Sequence, residues 1–183
     1  MILSIQFIRF LAASFIVLMH SILEFENTLR VGDFGVDIFF ILSGFIISYI
    51  TETDRHNFIT KRLIRIVPIY WLFIFIISFL IFMFPELFRT INWDSQHILR
   101  SLFFLPGTEA QGYLPIIKLG WTLNLEMMFY VLFFLSMKFS HKHRELITSS
   151  LIILIILILQ NLKLDGTHAI NFYSSPITIE FIY

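Results

Sequence analysis

IVPIYWLFIFIISFLIFMF, residues 66–84, decides the fold. The run holds no Asp, Glu, Lys, Arg or His. A helix needs about 20 mostly apolar residues to cross a bilayer, so this stretch reads as a spanning helix. Four more segments read the same way: Ile5 to Leu23, Phe34 to Ile50, Leu119 to Met137 and Ile147 to Leu162. A shorter apolar run, Ile98 to Leu105, lies in the longest loop and reads as an interfacial or re-entrant piece. Ile177 to Tyr183 looks like the opening of a sixth apolar segment. The expected architecture is all-α: a polytopic membrane bundle of five spanning helices plus the start of a sixth, in one partial membrane-embedded domain over residues 1–183.

Composition agrees. Hydrophobic residues make up 57% of the chain and charged ones 14%, against about 25% charged in soluble domains. Net charge is zero, which leaves no electrostatic case for a nucleic-acid partner. Cysteine is absent, so disulfides, thiolate nucleophiles, thiolate metal sites and Cys lipidation are excluded together. The apolar N-terminus carries no basic region, so the first segment reads as a retained helix and not a cleaved signal.

The loops give an orientation. Arg55, Lys61, Arg62 and Arg65 fall in the loop from Thr51 to Arg65, and Lys138, Lys142 and Arg144 in the loop from Lys138 to Glu145. Basic loops stay in the cytoplasm. The N-terminus is then cytoplasmic, and the loops after the first, third and fifth helices lie outside. Localisation is the cytoplasmic membrane, with the lipid bilayer as an obligatory partner.

Charges inside a bilayer are costly and mark function. Four stand out: Arg9, His20, Asp37 and Glu126. Arg9 and His20 are separated by eleven positions, about 20° past three full turns, so they share one helix face about 16 Å apart along the axis. Snorkelling would account for Arg9 alone, and a helix-end position for His20 alone. Asp37 and His20 both lie near the outer ends of antiparallel neighbours, at similar depth. A carboxylate beside a histidine fixes its tautomer and raises its basicity; helix capping is the plainer reading of Asp37. Glu126, flanked by Trp121, Asn124 and Tyr130, is too central for an anchor. Gly32, Gly35, Ser43, Gly44 and Ser48 read as close-packing positions.

Lys61, Arg62 and Arg65, followed by Pro68 and Tyr70, enter the membrane as a basic segment. Topology alone would account for them, but Arg also matches phosphate oxygens in a bidentate fork. HKHR at 141–144 reads as a solvated basic loop and not a metal site. His56, His97 and His168 read as lone loop histidines. No G-x-S-x-G elbow, Walker or dinucleotide glycine pattern occurs. No His is followed five positions later by Asp, as the soluble-site glycerolipid acyltransferases require.

Taken together these residues resemble the acyltransferase-3 family of multi-pass membrane acyltransferases. Arg9 and His20 match its hallmark pair. VGDFGVDIFFILSGFII (31–47) is similar to its second-helix motif, KRLIRIVPIYW (61–71) to its basic loop and third-helix entry, and WTLNLEMMFY (121–130) to its Trp…Glu…Phe-Tyr motif. SSPITIEFIY (174–183) resembles a segment that leads into another helix, so the chain would be the N-terminal portion only.

The resemblance implies transfer of an acyl group, commonly acetyl from acetyl-CoA, to a hydroxyl of an extracytoplasmic carbohydrate or lipid-linked acceptor. Acyl-CoA is then a substrate, with no permanently bound cofactor and no metal. Arg9 would contact the donor or stabilise carbonyl charge. His20 would act as general base or carry the acyl group itself. Asp37 would orient His20, and Glu126 would be a second acid/base or position the acceptor. Lys61, Arg62, Arg65, Tyr70, Trp121, Asn124 and Tyr130 would bind substrate. Two rivals stand beside this: a proton-coupled transporter using the same charges as a relay, and an inactive truncated remnant.

Overall fold

A computed structural model of the chain describes residues 7, 10, 11, 14, 31–53, 57–88, 93–107 and 114–161. The chain divides into two compact units, residues 1–55 with 176–183, and residues 56–175. Among the described residues every regular element is helical. Four helices are long and apolar enough to cross a membrane: Gly35–Glu52, Phe58–Met83, Lys118–Phe139 and Arg144–Asn161. They coincide with four of the five expected spans. The first expected span and the start of a sixth lie outside the described residues, apart from the helical positions Phe7, Phe10, Leu11 and Ser14.

The first unit contributes α1, Val31–Thr53. Val36, Phe40, Ser43, Ile47 and Thr51 are buried at the three- and four-residue spacing of one helix face. Ile41, Phe45 and Tyr49 are exposed at four-residue spacing on another. The Phe45 and Tyr49 rings stack there at 6.3 Å. Lipid tails are as apolar as leucine, so helices associate in membranes through close van der Waals packing of small residues. Gly35, Ser43, Gly44 and Ser48 are all buried, as that requires. Thr51 Oγ1 donates back to the Ile47 carbonyl at 2.7 Å, so the hydroxyl does not stay unpaired in an apolar setting.

The second unit begins with α2, Phe58–Met83. Its 26 residues extend about 39 Å, beyond the roughly 30 Å hydrocarbon core. Helix geometry starts at Phe58, so Lys61, Arg62 and Arg65 lie on the helix and not in the expected loop. Lys and Arg are good helix formers with long apolar stems, so the helix continues past the point where apolarity ends. Pro68 lies inside it, and the Ile64 carbonyl loses its intrahelical N–H partner there.

Beyond Met83 lies a 3-10 turn, Pro85–Leu87. Helix α3, Ser95–Leu102, returns along α2, its N-terminus capped by the Asp94 carboxylate accepting from the Gln96 N–H. Phe82 packs on Trp93, Trp71 Nε1 donates to the Leu102 carbonyl at 2.9 Å, and Tyr70 stacks on Phe104 at 4.7 Å. The apolar run 98–105 thus folds back against the third expected span, down to the level of Tyr70. The following strand of loop is tied to α3: His97 Nε2 lies 2.8 Å from the Leu114 carbonyl, and the Ile116 N–H donates to Ser101 Oγ at 3.0 Å. His97 is therefore a buried structural residue on a helix, not a loop histidine.

A second 3-10 turn, Lys118–Gly120, feeds α4, Trp121–Phe139. Residues 140–143 connect it to α5, Arg144–Asn161. The expected solvated HKHR loop is only partly so. Lys142 and His143 are exposed, but Arg144 is buried, donating to the His141 carbonyl at 2.8 Å and pairing with Glu145 at 3.5 Å. The buried guanidinium and the turn carbonyl thus satisfy each other.

Candidate active site

Helices α2 and α4 run antiparallel, and their register sets the site. Phe58 meets Tyr130 and Phe133, with centroid distances of 6.1 and 5.8 Å. Twelve residues along α2, Tyr70 meets the start of α4: a Cβ on Gly120 would stand 3.0 Å from the Tyr70 ring and hydroxyl. Glu126 falls between these two points, near the basic end of α2.

Glu126 is 2% exposed. Tyr130, one helical turn on, donates its hydroxyl to Glu126 Oε1. The Tyr130 ring packs against Phe58 and Phe129. Arg62 places its guanidinium 5.8 Å from the centroids of both Phe58 and Tyr130. A cation over a ring face is held by the ring quadrupole, by about 0.5–1 kcal/mol where solvent reaches it and more where it is desolvated. It also draws electron density from the phenol and strengthens Tyr130 as a donor to the carboxylate. Three of the expected residues, Arg62, Tyr130 and Glu126, thus form one connected array. Phe58 completes it as a platform that the sequence reading had placed in a loop.

Asn124 lies about 200° round the helix from Glu126 and so does not share its face. It aligns instead with Gly120, four residues earlier. Asn124 is 1% exposed, and neither its amide nitrogen nor its oxygen has a partner among the described residues. The buried Tyr70 hydroxyl is likewise unpaired. Buried polar groups without partners are expensive and call for a ligand or water. Trp121 is half-buried at the head of α4. Lys61 and Arg65 are exposed, four residues apart on one side of α2. In the first unit Asp37 is half-buried on α1 and makes no hydrogen bond or ion pair among the described residues. Arg9 and His20 lie outside the described residues.

Phe104 supports the second group. Its φ of 57° is left-handed backbone, unfavourable for a bulky residue. That turn directs its ring onto Tyr70. Such strain persists only where surrounding contacts hold it.

A family model described as an acyltransferase domain, acyltransferase-3, matches residues 2–164. The exopolysaccharide production protein ExoZ of Rhizobium meliloti (strain 1021) is 33% identical over 175 residues, 91% of this chain. The chain spans about half of that relative's length, 53%. No solved structure matches. A charged array on membrane-type helices and a match over most of the sequence agree: the chain belongs to the acyltransferase-3 family.

Proposed function

We propose that this chain supplies the donor-binding and catalytic residues of a membrane O-acyltransferase. It would move an acyl group, commonly acetyl, from cytoplasmic acyl-CoA to a hydroxyl on an extracytoplasmic carbohydrate. The observation that carries the reading is the array Arg62–Tyr130–Glu126, which ties the basic end of α2 to a buried carboxylate. The carbohydrate acceptor is supported by the likeness to ExoZ, an exopolysaccharide production protein.

With the basic segments cytoplasmic, the array lies on the donor side. Lys61 and Arg62 meet the phosphates of coenzyme A. Glu126, through Tyr130, fixes the Arg62 guanidinium and acts as a positioning residue for the donor. Asn124 and Trp121 line the path of the acyl-bearing arm, where the orphaned amide can bond to its amide groups. The acceptor side belongs to His20, oriented by Asp37. The imidazole takes the proton of the acceptor hydroxyl as its oxygen attacks the thioester carbonyl. The new C–O bond forms, the C–S bond breaks, and the coenzyme A thiolate leaves and takes up a proton. Arg9 stabilises the oxyanion that develops in between. In a variant route the imidazole itself carries the acyl group before the acceptor attacks.

The test is a split of Michaelis constants in a protein extended to the length of its relatives. Arg62→Gln and Glu126→Gln should each raise KM for acyl-CoA by about tenfold or more, the effect of losing one charge-assisted contact, with KM for the acceptor unchanged. A raised acceptor KM with an unchanged donor KM would assign the array to the acceptor and overturn this placement.

A further inference from the structure

Arg65 opens onto a separate groove of about 460 Å³ in the second unit, between α2, the 3-10 turn before α4, and the first turn of α4. Ile69, Phe73 and Leu123 line it together with Tyr70 and Gly120. Among the described residues two polar side chains line it. One is Arg65, exposed, with no hydrogen bond or ion pair among the described residues. The other is Tyr70, 5% exposed, its hydroxyl unpaired.

The axial order of these two residues suits an amphiphilic occupant. Arg65 and Tyr70 are five residues apart, about 7.5 Å along the axis. Each polar layer of a bilayer, the difference between a thickness of 40–45 Å and a 30 Å core, is about 5–8 Å deep. A phospholipid's phosphate and ester carbonyls both lie within this layer, with the phosphate outermost, the same order as Arg65 and Tyr70. Past Tyr70 the groove is wholly apolar, continuing along Phe73 to Ile77. An anionic headgroup complements the one cation, an ester carbonyl accepts from the one unpaired hydroxyl, and an acyl chain fills the remainder. Gly120 keeps the groove open, because a side chain there would meet Tyr70.

We propose that this groove binds an anionic phospholipid from the leaflet at the basic end of α2, with its phosphate on Arg65 and an ester carbonyl on the Tyr70 hydroxyl. The proposal does not rest on the acyl-transfer reading. The 183-residue chain, purified in detergent, would be offered phosphatidylglycerol and phosphatidylcholine with identical acyl chains, and retained lipid counted by native mass spectrometry. Phosphatidylglycerol should be retained about tenfold or more over phosphatidylcholine, the effect of one charge-assisted contact. Arg65→Gln should bring that ratio close to one. Tyr70→Phe should weaken both lipids alike, since both carry ester carbonyls. Ile69→Trp fills the groove from an exposed position that the fold does not depend on, and should displace both. Equal retention of the two lipids, or unchanged phosphatidylglycerol in Ile69→Trp, would overturn the proposal. Displacement of phosphatidylglycerol by acetyl-CoA would assign the groove to the acyl donor and also overturn it.

Discussion

His20 is the one imidazole that the sequence places within an expected span, and the proposed chemistry runs through it. In a protein extended to the length of its relatives, His20→Ala should lower transfer by about 10²–10⁴-fold, the usual cost of losing a general base. Arg9→Lys should recover only part of the activity lost in Arg9→Ala, because an ammonium cannot reproduce a planar fork. Membrane insertion is measured first in each variant, since loss of a charge partner can disturb the bundle. Wild-type turnover in a well-inserted His20→Ala protein would move the chemistry to Glu126. At this scale the sequence was informative where a residue type conflicts with its surroundings. Glu126 in an apolar helix is conspicuous, and the four-residue step to Tyr130 already allows a bond along one face. Phe58 was not legible: one more phenylalanine among 23 carries no signal until the register of α2 on α4 sets it against Tyr130 and Arg62.

Between α2 and α4 the close approach depends on Gly120. A Cβ there would stand 3.0 Å from Tyr70, whose ring is pinned by Phe104, so it cannot swing away freely. Gly120→Val should destabilise the solubilised chain by about 1–3 kcal/mol, the range of overpacking, read as a lower thermal midpoint. Tyr70→Leu in the same chain should recover part of the loss, and a purely additive double variant would show that the two residues are not in contact. Helix type was easy to read in these segments, and helix ends were not. The charges at Lys61, Arg62 and Arg65 suggested a loop because apolarity stops there. Backbone hydrogen bonding does not stop with it, and long basic side chains can leave the lipid while their Cα atoms stay helical. The return of α3 along α2 was visible only as a short apolar run, too short to span. Its pairing depends on long-range contacts, Trp71 to Leu102 and His97 to Leu114, that no local pattern encodes.

For the whole molecule the side of the membrane that each connection faces is directly measurable, because the sequence has no cysteine. Single cysteines can be introduced without background and labelled with an impermeant maleimide, before or after the membrane is opened. The positive-inside rule places Asn57 and Lys142 in the cytoplasm, so Asn57→Cys and Lys142→Cys should label only after opening. Asn92→Cys and Gly166→Cys should label in intact cells. Phe103 discriminates further. It is exposed on the protein, yet α3 carries it back along α2 to within a few residues of Tyr70. If α2 spans the bilayer, that surface faces lipid, and Phe103→Cys should resist the reagent from both sides while Trp93→Cys, near the turn, reacts from outside. Labelling of Phe103→Cys as fast as Trp93→Cys would mean that α3 stands in water and that α2 lies higher in the membrane. Cytoplasmic labelling at both Asn92 and Gly166 would invert the topology. The Arg62–Tyr130–Glu126 array would then face the outer side, and a cytoplasmic acyl-CoA could not reach it.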